Sequence, residues 1–160
     1  MDAALCQEHL RELLREEISL LQQLHALLEQ ERAVIGNGDI QVLERTTAQR
    51  QERMAALAGT DEQRRALCRM HGETADATGL QRLLRWCDPR GELAPAVREC
   101  RERALQCRQL NDRNGLMVSA RLKRVDARLQ ALRARADRTL TYGPCAALDG
   151  ARTRRDLGAV

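Results

Sequence analysis

Leu14, Leu21, Leu28 and Ile35 stand seven residues apart, and Leu13, Leu20, Leu27 and Val34 repeat the interval one step behind. Seven residues make two helical turns, so both rows lie along one side of a helix. Leu10, Ile18 and Leu24 widen the stripe. A stripe this broad faces two partner helices at once, as in a bundle rather than a simple two-stranded coil. The spacing predicts one long helix from about Asp2 to Ile35. Gly36-Asn37-Gly38 stops it, because glycine and asparagine accept the left-handed conformation at a helix end.

The residue types agree with this pattern. The chain has 160 residues, with one Trp, one Tyr and no Phe. Leu, Ala, Arg, Glu and Gln dominate, and β-branched residues are too sparse for a sheet. The core must therefore be built from Leu and Ala on long helices. No run of about 18 apolar residues is present, so no membrane span is expected. The N-terminus has no basic region followed by an apolar block, so no secretory signal is expected.

Asp39 suits the N-cap of a second helix, to about Ala58, with a seam of Ile40, Leu43, Thr47, Met54 and Leu57 that Arg50 interrupts. The short link makes the first two helices antiparallel neighbours. Gly59 is expected to end the second helix. Thr60 and Gln63 form a capping-box pattern for a third, to about Met70. Gly72 to Gly79 reads as a loop and Leu80 to Cys87 as a short helix, broken at Asp88-Pro89. Trp86 on that short helix is expected to be a core anchor, with a binding hot spot as the alternative.

A last helix is expected from Glu92 to about Asp137, with Pro95 in its first turn. Its seam runs Leu93, Val97, Cys100, Ala104, Cys107, Asn111, Asn114, Val118, Val125, Leu132 and Ala136. Asn111, Asn114 and Gly115 fall where the seam should be apolar. Buried amides need partners, so the pair is expected to fix how two helices meet, with direct contact to a bound partner as the alternative. Gly115 is expected to permit close helix approach, with a hinge as the alternative. Asn-Gly is also a turn signal. The seam keeps its phase across the motif, which favours one continuous helix.

Charge is unevenly distributed. Residues 1–71 carry 9 Arg against 12 acids, and residues 90–138 carry 13 Arg and Lys against 6 acids. A basic C-terminal half suits an acidic partner or nucleic acid, and is also what a solvated helix face looks like in an arginine-rich chain. Six cysteines stand at 6, 68, 87, 100, 107 and 145, none with CxxC spacing. Reduced thiols are expected, with Cys100 and Cys107 acting as small hydrophobes on the seam. Cys68 and His71 lack further ligands for a metal site. No catalytic signature, cofactor loop or paired-carboxylate pocket is visible, so neither an enzyme nor a cofactor is expected.

Several of these features together resemble one family. They are the leucine-rich N-terminal hairpin, Asn111-x-x-Asn114-Gly115, the basic amphipathic run from Arg121 to Arg135, and Thr141-Tyr142-Gly143-Pro144. The chain resembles the FlgN-type flagellar export chaperones over nearly its whole length. Many members continue the last run with Asp-Gly, where this chain has Cys145 and Ala146.

The resemblance implies a cytoplasmic escort that binds hook-associated subunits of the FlgK and FlgL type. It would deliver them to the flagellar export gate and its ATPase complex. It further implies a subunit-facing stripe of Val118, Leu122, Val125, Leu129 and Leu132, flanked by Arg121, Arg124, Arg128 and Arg133. Tyr142 would be the anchor that docks at the export gate; simple packing on the bundle is the other reading of that residue.

The expected fold is an all-α, elongated antiparallel bundle of three to four long helices over residues 1–138, with a flexible tail over 139–160. Two other functions compete with the escort. A self-assembling coiled-coil scaffold would match the Asn pair across a symmetry axis. A nucleic-acid binder would use the basic last helix and show steep salt dependence.

Overall fold

The computed structural model describes residues 2–141, with side chains to residue 136. The described residues form four helices and no strand: α1 (Ala3–Asn37), α2 (Ile40–Met70), α3 (Ala77–Cys87) and α4 (Ala94–Thr141). The fold is all-α. By its internal contacts the chain divides after Val118, with Met1–Val118 as one compact unit and Ser119 opening a second.

Short polar residues start the helices. The Asp2 carboxylate accepts from the Leu5 amide at 2.8 Å, and the Asp39 carboxylate from the Val42 amide at 3.2 Å. Each satisfies a donor that the first turn leaves without a partner. Between α1 and α2, Gly38 adopts φ 80° and donates to the Val34 carbonyl at 2.8 Å. This left-handed cap lets α2 fold straight back along α1. Cross-helix pairs give the direction: Glu17 meets Arg64, and Glu31 meets Arg50. One number rises as the other falls, so α1 and α2 are antiparallel.

α2 corrects the sequence reading. It is one helix, without the expected break at Gly59 and without a separate helix capped by Thr60. The Thr60 hydroxyl donates to the Leu57 carbonyl at 2.9 Å inside the helix. The expected seam is also displaced, since Ile40 and Met54 are exposed. The inward face instead runs Thr46, Arg50, Arg53, Leu57, Thr60, Arg64 and Leu67, all buried or half-buried. Its steps alternate four and three through Gly59, which makes the helix continuous. Most of that face is polar, so hydrophobicity alone pointed elsewhere.

α3 closes one end of this unit. The Asp76 carboxylate caps it, accepting from the Gly79 amide and the Thr74 hydroxyl, each at 2.8 Å. These bonds hold the Asp76 carboxyl below its ordinary range, the Gly79 amide contributing most. Gly79 is required here: a methyl group on it would lie 1.8 Å from the Thr74 carbonyl oxygen. Trp86 is no core anchor. It is half exposed and leans on His71, with ring centroids 4.7 Å apart. Leu83 and Cys87 make the inward contacts of α3 instead.

Asp88 joins α3 to α4. Its carboxylate accepts from the Glu92 amide at 2.9 Å, the Leu93 amide at 2.7 Å and the Gln7 side chain at 3.0 Å. A residue with 6% of its surface exposed thus organises the entry to α4 and ties it to α1.

Candidate partner-binding surface

α4 begins as part of the core. Cys100 Sγ lies 3.6 Å from the Leu14 carbonyl oxygen, Cys107 Sγ 3.4 Å from that of Leu21, and Asn114 Nδ2 2.8 Å from that of Leu28. Each pair is separated by 86 residues. A constant offset means that α1 and α4 run parallel. They keep one register over two heptads, or about 21 Å of helix. The seven-residue leucine row of α1 and the Cys, Cys, Asn row of α4 form one seam. Small side chains at this seam let α4 approach the α1 backbone closely.

Burial pushes the Cys6 and Cys100 thiols up to about 12. It raises Cys68, Cys87 and Cys107 as well. These thiols pack as small apolar groups and have little thiolate at neutral pH. Among the described residues no group of three His, Cys, Asp or Glu is placed to hold a metal ion.

The seam ends in a polar layer. Asn114 is buried, and its Oδ1 has no hydrogen-bond partner among the described residues. Asn111 is exposed, and its Oδ1 accepts from Arg50 Nη1 at 2.8 Å. Arg50 Nε lies 3.1 Å from Glu31 Oε1, an ion-pair distance without hydrogen-bond alignment. The Thr47 hydroxyl donates to the same Glu31 oxygen at 3.4 Å. One guanidinium from α2 thus joins a buried carboxylate of α1 to an amide of α4. The sequence carried a sign of this in the Arg50 that breaks an otherwise apolar pattern.

Asn111 and Asn114 thus touch different partners in different surroundings. Asn114 Nδ2 donates within its own chain, to α1. Helix α4 is continuous through Asn114-Gly115. Gly115 does not mark a close approach, since a methyl group there would meet nothing within 4 Å.

Beyond Asn114 every described side chain to Ala136 is exposed. In the second unit, Leu122, Val125, Leu129 and Leu132 are exposed by 59%, 45%, 46% and 60%. Steps of three, four and three place them on one face of the helix. Val118, the last residue of the first unit, is 38% exposed and extends the same spacing in the sequence. Arg121, Arg124 and Arg128 are exposed along one edge of that face, and Arg133 stands on the other. Tyr142 lies outside the described residues, as does most of the expected tail. No described helix is long and apolar enough to cross a membrane.

Comparison with known proteins gives one finding for the chain as a whole. The family model described as FlgN protein matches residues 1–149. No curated protein and no solved structure matches the chain.

Proposed function

Because the chain belongs to the FlgN family, whose role is that of a flagellar export chaperone, we propose that it is a cytoplasmic escort for hook-associated subunits of the FlgK and FlgL type. It binds them through Leu122, Val125, Leu129 and Leu132, with Val118 adjoining. It then delivers them to the export gate and ATPase complex, where Tyr142 in the C-terminal segment over residues 139–160 serves as the docking anchor. The observation that carries this reading is the exposure of four large aliphatic side chains on one helical face. Such a face suits an amphipathic client helix laid against it. Arg121, Arg124 and Arg128 on its edge attract acidic groups of the client and bias register and encounter.

The test is co-purification of tagged FlgK-type and FlgL-type subunits with the wild-type chain and with a Leu122→Asp, Leu129→Asp variant. Both positions are exposed, so helicity by circular dichroism should be unchanged. Capture should fall at least about tenfold, as expected when charges enter an apolar contact. Undiminished capture would place the client elsewhere. A duplex-binding function would instead appear as a salt-sensitive gel shift lost on reversing Arg124 and Arg128.

A further inference from the structure

We propose that the groove between α3 and the first turns of α4 is a second docking surface, whose occupant is an acidic amphipathic helix of a partner protein. It lies wholly within Met1–Val118 and does not depend on the client-binding strip.

The floor of the groove is apolar. Leu84 of α3 and Ala94 and Val97 of α4 line a space of about 390 Å³. That is room for a few aliphatic side chains. Leu84 and Val97 pack against the core from their other sides, so the floor is supported from beneath. The Asp88 clamp on Glu92 and Leu93, together with Gly91 at φ 71°, fixes the connection between the two walls.

The rim decides the occupant. Arg85, Arg98 and Arg101 line the groove, are exposed, and form no ion pair among the described residues. Other exposed arginines of the unit, among them Arg15, Arg32 and Arg45, also form no ion pair among the described residues; what sets this place apart is that three such groups share one rim. The exposed carboxylate at this rim is Glu102, because Asp88 is buried with its oxygens turned to backbone amides and Gln7. Three guanidinium groups against one exposed carboxylate, above an aliphatic floor, match a helix with leucine-like residues at i, i+3, i+4 and i+7 and acids on its flanks. A nucleic acid would satisfy the rim and leave the floor unfilled.

The test uses the full chain and a labelled synthetic helical peptide with leucines at those positions and glutamates on the flanks. A second peptide has lysines in place of the glutamates. Fluorescence anisotropy should show binding of the acidic peptide only. The Arg98→Glu, Arg101→Glu variant should weaken it at least about tenfold, and Arg98→Gln, Arg101→Gln about threefold, as for paired charges at a docking rim. The Leu122→Asp, Leu129→Asp variant should bind it within about twofold of wild type. Equal binding of the lysine peptide, or no effect of changing the arginines, would overturn the proposal. So would loss of the peptide on mutating Leu122 and Leu129, which would assign it to the client-binding strip instead.

Discussion

Two glycines on helices show how a local environment sets the sign of a substitution. Gly79 faces the Thr74 carbonyl at a distance no methyl group tolerates, while Gly115 faces open space. Gly79→Ala should cost about 1–3 kcal/mol through overpacking against backbone. Gly115→Ala should gain about 1 kcal/mol, because alanine is the better helix former. Urea denaturation of both variants checks the pair. Equal effects would mean that α3 shifts to admit the methyl group.

Glu17 provides a pH-dependent case at the same scale. Burial raises its carboxyl above the ordinary value, and the Arg64 guanidinium 3.3 Å away offsets this only in part. A carboxyl raised in the folded state binds its proton more tightly there than in the unfolded chain. Its contribution to stability is thus fullest at low pH and is lost as pH rises through the folded value. Glu17→Gln removes the cost of the buried charge. The variant should be more stable than wild type at pH 7 and lose that advantage well below the ordinary carboxylate range. Thermal melts at the two pH values test this, and a variant less stable at pH 7 would show that the Arg64 pair outweighs burial.

At the scale of elements, the polar layer is where α1, α2 and α4 are joined, and its members should respond differently. Arg50→Met leaves the Glu31 carboxylate 4% exposed and without its counter-charge. This should cost about 2–3 kcal/mol, at the low end for a broken buried pair because Arg50 is itself partly exposed. Asn114→Leu removes one hydrogen bond to Leu28 and also an unpartnered buried oxygen. Stability should be held or raised by up to about 2 kcal/mol. What the amide supplies is register, so the leucine variant should self-associate more as α4 loses its single preferred alignment. Denaturation curves and sedimentation together separate the two effects; a strongly destabilised, monomeric leucine variant would make the amide a stability element instead.

For the whole molecule, the proposal divides labour along the chain: a packed helical unit, a strip for the client and a tail for the export machinery. Removing residues 139–160 should leave subunit capture within about twofold of wild type, since the strip stays intact. Export should fall, read as hook-associated subunits retained in the cell and loss of motility. Normal motility of the truncated chain would remove the docking role from Tyr142.

The all-α class, the long first and last helices, the glycine stop after the first, the Asp39 cap of the second and the 122–132 apolar spacing were legible in the residues. Each depends on local propensity and on a period that a single helix reveals. The motif at 111–115 also stood out as an irregularity, though not what each amide touches. The seam of α2 was misread because an inward face rich in threonine and arginine has no hydrophobic period. Trp86 was misplaced because ring size does not tell which side of a short helix faces in. The parallel pairing of α1 with α4, at a constant offset of 86 residues, was settled only by tertiary packing. Both heptad rows stand in the sequence, but a repeat that returns every seven residues is compatible with several registers. Contacts that choose among them join residues far apart in the chain, and it is their packing, with Asn114 at one end and Asp88 at the other, that selects one.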